Sequence, residues 1–259
     1  PARRTLMTGR RPAGHGVLPL GQVIKGDVEE FMQRRAGQER VIRSFIEEEK
    51  LEAFPAVVLA PEISEGIRSL VQCQGLGVLR PNTVLLGWPS DPARVESFGS
   101  ILRVVAKLKR SIVAIRMKEE GENIWEAPAG TIDVWWRGKA NGPLMLLLAH
   151  LLETNHAWRA RPIRLLRVLD AEAAREEMTR HLEQLIETSR IRATPRVIIA
   201  EDIPGTIHHT SRQAAVVFLG FEAPEEGREV DFFNAMQRVA GPLPRVIFVD
   251  SAGGMELDI

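Results

Sequence analysis

TVLLGWPSD at residues 83–91 and AVVFLGFEAP at residues 215–224 decide the fold. Each is a short apolar run, then a glycine, then an aromatic residue with a proline within three positions of it. Gly87 and Gly220 stand 133 residues apart, and 28 positions beyond each lies an apolar residue, Ile115 or Phe248. A helical pattern fills each interval, residues 91–108 in one and roughly 229–240 in the other. We read this as an internal duplication of a β-loop-α-β unit. The runs are apolar on consecutive positions, which is how strands buried on both faces read.

Working outward from these runs, apolar segments predict strands at Val17–Ile24, Ala56–Ala60, Thr83–Gly87, Ile112–Arg116, Thr131–Trp136, Ile163–Leu169, Arg196–Ala200, Ala214–Leu219 and Val246–Val249. Between them lie segments at helical spacing. Val95, Phe98, Leu102, Val105 and Leu108 form one stripe, with Asp91 as its cap and Pro92 in its first turn. Leu144, Leu147, Leu148, Leu151 and Leu152 form another, and Ala171, Ala174, Met178, Leu182, Leu185 and Ile186 a third. In the charged stretch Asp27–Lys50 the expected buried positions are Val28, Phe31, Val41, Ile42 and Phe45. Strands alternating with helices give an α/β fold of two similar doubly wound, mostly parallel-sheet subdomains. The divisions are 1–118, a linker at 119–130 within the unpatterned Met117–Gly130, and 131–259.

Composition excludes several classes. With 34 basic and 34 acidic residues the formal charge is zero, against a nucleic-acid groove or a polybasic membrane anchor. The longest apolar stretch, Leu144–Leu152, is interrupted by His150, whereas a membrane span needs about 20 residues, so no direct membrane insertion is expected. PARRTLMTGRRPAG at the start is basic without an apolar run, so no secretory signal is expected. The single cysteine, Cys73, suits a reducing cytosol and reads as a buried thiol on the apolar side of a helix.

The candidate chemistry is sparse. GLGVLR at Gly75–Arg80 starts like a dinucleotide fingerprint but precedes a strand and has Arg80 in place of the third glycine, so it reads as a turn. Gly87, Trp88 and Ser90 lie at a strand's carboxyl end, where open α/β sheets bind ligands, and form the one nucleotide-site candidate. The bland alternative is a capped turn, and Asp91 beside it repels phosphate. His208 and His209 are adjacent, point apart on any regular element and read as solvated loop residues. No metal set, P-loop or catalytic triad motif is legible, so the reading is a non-enzyme without a cofactor. In TIDVWW, alternation sends Trp135 and Trp136 to opposite faces. They read as core packing, a subunit interface or a ligand platform. As an interface they would act with Leu144 and Leu148 of the neighbouring leucine-rich helix.

GVLPLGQVIKGD (16–27), LRPNTVLLGWPSD (79–91), GTIDVWWRGKANGPLMLLLAHLLETNHAWRARPIRLLRV (130–168) and AAVVFLGFEAPEEG (214–227) together resemble the cytosolic C-terminal domain of cation–chloride cotransporters. The resemblance begins near Gly16 and covers about 240 residues. It implies subdomains related to the universal stress protein fold, carried on the cytoplasmic side of a dimeric membrane transporter. The domain's partners would be a second copy and its own transmembrane domain, and its role regulatory and dimerising in symport of sodium and/or potassium with chloride. The alternative is a free-standing nucleotide-binding module of the universal stress protein type. Three departures stand out. No transmembrane segment is present. Residues 1–15 are too short for the strand and helix with which family members enter. The phosphorylatable insertion that animal members carry before TIDVWW is replaced by the short Met117–Gly130 segment.

Overall fold

Strand direction in the first half follows from connection length. The computed structural model describes residues 4–8, 18–26, 28–73, 81–118, 128–138, 140–159 and 161–253. The turn expected at Gly75–Arg80, the Val28 and Phe31 side chains and most of the 119–130 linker lie outside these. Strand β1 (Arg4–Thr8) is followed after nine residues by β2 (Leu18–Lys25). A parallel crossover takes about a dozen residues or more, so β1 must run against β2. It does, with Leu6 opposite Leu20, and it pairs antiparallel with β4 (Thr83–Gly87) on its other side. The sequence reading offered no strand at 4–8, and the structure adds one there.

The chain divides into two units, Pro1–Ala114 with Ala223–Glu229, and Ile115–Glu222 with Val230–Ile259. The first holds α1 (Val28–Glu48), β3 (Ala53–Ala60), α2 (Ile63–Cys73), α3 (Val95–Lys107) and the start of β5 (Ser111–Met117). Its strands lie in the order β3-β2-β1-β4-β5. Helix α1 covers one face, burying Ile42 and Ile46 against Leu20 and Val57. On the other face α2 packs so closely that a Cβ at Gly66 would lie 2.3 Å from Val23. Within α3 the expected stripe is buried at Val95, Phe98, Leu102 and Val105. Two expectations fail here. Val41 is 51% exposed, because the buried stripe of α1 runs through Ile42 and Ile46 one position round the helix. Cys73 is exposed, not buried, because the core face of α2 runs through Ile67, Leu70 and Val71.

The second unit contains β6 (Ile132–Trp135), α4 (Gly142–Thr154), β7 (Ile163–Leu169), α5 (Arg175–Ser189), β8 (Ala193–Ile199), α6 (Ile203–Thr210), β9 (Val216–Gly220), α7 (Glu229–Ala240) and β10 (Arg245–Asp250). Its order, β8-β7-β6-β9-β10, repeats that of the first unit, and the β6–β7, β6–β9, β7–β8 and β9–β10 pairs are all parallel. Here β6 and β7 are separated by enough chain to hold α4, so a parallel crossover forms. Helices α4 and α5 cover the face of Ile132, Val134, Leu165 and Phe218. Helix α6 meets the opposite face, where its following residue, Ser211, bonds the Asp133 side of β6. His208 and His209 therefore sit in the last turn of a helix rather than in a loop: Asp202 caps its start by accepting the Gly205 N–H at 3.1 Å.

Candidate functional site

The strand-end loops carry the residues singled out for nucleotide binding. In the first unit Gly87 is exposed and has open space where a Cβ would be. Trp88 is half-buried, edge-on to Phe98 at 5.3 Å. Ser90 is exposed, and Asp91 accepts the Ala93 N–H at 3.0 Å, capping the short turn Pro92–Arg94 that leads into α3. The donors at this helix start are thus answered by an acid of the chain. In the second unit the matching position between β6 and β9 is bridged by Asn141. Its Nδ2 donates to the Phe221 carbonyl at 2.7 Å, and its Oδ1 accepts the Ser251 N–H at 2.8 Å. Gly220 brings its backbone close to Asn141, with only 3.1 Å left for a Cβ.

The most highly built polar arrangement is at the other end of the second unit's strands. Asp133 is fully buried in β6. Directly opposite it on β7 is Arg164, whose Nε and Nη2 donate to Oδ1 and Oδ2 at 2.7 and 2.5 Å. Thr131 Oγ1 and Ser211 Oγ each donate to the same carboxylate at 2.6 Å. Ser211 in turn accepts the Trp135 indole N–H at 3.0 Å. Arg164 Nη2 also donates to the Thr210 carbonyl at 3.0 Å, at the end of α6. Four donors around one buried carboxylate satisfy it fully, and this ties β6, β7 and α6 together.

Arg164 also borders a cleft of about 690 Å³ lined by Gly130, Arg196, His209, Arg212 and Gln213 among others, with no carboxylate in its wall among the described residues. The pairing explains the convergence. Arg164 opposes Thr194 and Leu166 opposes Arg196, so Arg164 and Arg196 stand two residues apart on one face. The last turn of α6 and the turn after it bring His209 and Arg212 to the same place. Among the described residues no group of histidines, cysteines and carboxylates is placed to hold a metal ion.

The four residues expected at a subunit interface divide. Trp135, Trp136 and Leu144 are 6, 4 and 3% exposed, and Trp136 and Leu144 pack within the unit's core. Of the two tryptophans, Trp136 packs in that core, and Trp135 is buried with its indole N–H on Ser211. A Cβ on Gly142 would lie 2.2 Å from the Trp136 ring, a measure of how closely α4 packs there. Leu148 is half-buried on α4, and Leu151, one turn on, is 53% exposed. Sequence reasoning missed Arg164 and Arg196, and the signal for them was faint: two arginines bracketing two leucines in IRLLRV, and Arg196 after Pro195 in an otherwise apolar run.

Comparisons with known proteins place this architecture. The family model for solute carrier family 12 matches residues 13–126 and 124–218. Cation-chloride cotransporter 1 of Oryza sativa subsp. japonica is 26% identical over 233 residues, covering 88% of this chain and 22% of that protein. Cation-chloride cotransporter 1 of Arabidopsis thaliana is 26% identical over 191 residues, covering 71% and 20%. The chain thus spans about a fifth of the length of these curated relatives. Among solved structures, the cytoplasmic domain of a prokaryotic cation chloride cotransporter superposes with a TM-score of 0.63 at 16% identity, covering 91% of this chain and 86% of that one. A universal stress protein from Archaeoglobus fulgidus gives 0.56 at 11% identity, covering 92% and 87%. The repeated β/α order, the strand-end motifs and the family match agree: the chain belongs to solute carrier family 12.

Proposed function

We propose that this chain is the cytosolic regulatory and dimerisation domain, without catalytic activity of its own, of a membrane cation–chloride cotransporter that moves sodium and/or potassium together with chloride. The observation that carries the reading is the asymmetry of coverage. A match over 88% of this chain occupies 22% of the rice transporter, as expected of one soluble part of a longer membrane protein. Among the described residues no helix is long and apolar enough to cross a membrane, so transport itself belongs to a transmembrane domain joined to this one.

Support for self-association comes from α4. Its sequence, GPLMLLLAHLLET, is apolar nearly all round, a pattern typical of helices covered on every side. Yet Leu147 is half-buried and Leu151 is 53% exposed, so part of its outer face is uncovered among the described residues. A second copy is the occupant proposed, since closed twofold pairs are the commonest assemblies and a two-copy transporter holds both domains together. The isolated domain is expected to dimerise in the micromolar range, about 8 kcal/mol at the 1 M standard state. Sedimentation equilibrium tests this. Leu151→Glu should weaken the dimer by about tenfold or more, because it places a charge in an apolar contact. A strictly monomeric wild-type chain at millimolar concentration would remove the dimerising role.

A further inference from the structure

We propose that the arginine-lined cleft of the second unit, at the amino-terminal ends of β6 and β7, binds a phosphate-type oxyanion. Arg164 is fixed there before any ligand arrives: its Nε and Nη2 are held by Asp133 and by the Thr210 carbonyl. Its Nη1 has no hydrogen bond among the described residues, and the side chain is 23% exposed at the cleft. Arg196 and Arg212 are exposed in the same wall and make no hydrogen bond or ion pair among the described residues. Asp133 neutralises Arg164 in large part, so the excess charge comes from Arg196 and Arg212.

The ligand class follows from the donors. Planar guanidinium groups present paired N–H donors that match the oxygens of phosphate, and one already immobilised loses little freedom on binding. His209 adds an imidazole to the wall. The volume of about 690 Å³ exceeds what a single inorganic ion fills, which favours a phosphorylated ring such as an inositol phosphate, free or as a lipid headgroup.

The test uses the full 259-residue chain. Calorimetry with inositol hexakisphosphate should give saturable one-to-one binding that weakens as sodium chloride is raised. Arg196→Gln and Arg212→Gln should each lower the affinity by about tenfold. Arg40→Gln on α1 removes the same single charge elsewhere and should leave affinity unchanged. Flotation with phosphatidylcholine vesicles, with and without a phosphatidylinositol phosphate, separates the sources. Co-flotation that needs both arginines assigns the lipid headgroup, and binding of the soluble probe alone assigns a free phosphate. Absence of saturable binding to either probe, or an equal loss in the α1 control, overturns the proposal.

Discussion

Asp133 illustrates how much one residue can decide. A carboxylate at zero exposure is tolerable only because four donors answer it, and removal of either partner of a buried pair leaves the other uncompensated. Asp133→Ala is expected to lower unfolding stability by about 3 kcal/mol, the lower end for broken buried pairs, because Arg164 is 23% exposed and can recover some water. Urea denaturation measures it, and a loss under about 1 kcal/mol would show that the network contributes little. The acid was visible in TIDVWW as a polar interruption of an apolar run. Its partner was not, because Arg164 is identified only by the register between β6 and β7, which no local pattern encodes. Cys73 was misread for a related reason: helical spacing locates a buried stripe, but near a helix end one residue's rotation decides whether a side chain faces in or out.

At the scale of elements, the strands were the legible part. Thr83–Gly87 and Ile163–Leu169 are found where the sequence places them, because consecutive apolar residues between turn signals have little alternative. Helix α6 was hidden by its length, eight residues carrying Pro204 and Gly205 near the start, and only Asp202 as a cap marks it. Helix α4 was legible as a helix, but its inner face was not. The buried residues include Met145, Leu146 and Ala149, and no polar stripe was present to orient it. Gly142→Ala separates two effects at its start. Alanine gains about 1 kcal/mol of helix propensity at most, while a methyl 2.2 Å from the buried Trp136 ring costs about 1–3 kcal/mol in overpacking. The clash should win, giving a lower thermal midpoint and a shifted Trp fluorescence spectrum. A stabilised variant would mean that α4 can slide outward freely.

For the whole molecule, the doubled strand order was legible as a repeat, but its division was not fully so. Residues 119–130 remain our proposed linker, yet the first unit also includes Ala223–Glu229 from far along the chain. Glu229 pairs with Arg103, and its carboxyl is held below the ordinary range, first by its own backbone N–H and then by that guanidinium. Gly99 admits Glu229 and Pro224 against α3. A fragment ending at residue 118 is therefore expected to bind an apolar dye and to unfold over a broad urea range compared with the intact chain. A sharp, cooperative transition would show that the segment is dispensable. In the first unit's order β1 is the central link, with β2 and β3 on one side and β4 and β5 on the other, so the antiparallel pairings of both neighbours rest on its five residues. If β1 detaches, the inner edges of β2 and β4 lose their partners together, so protection of their backbone amides against exchange with solvent is governed by a single local opening.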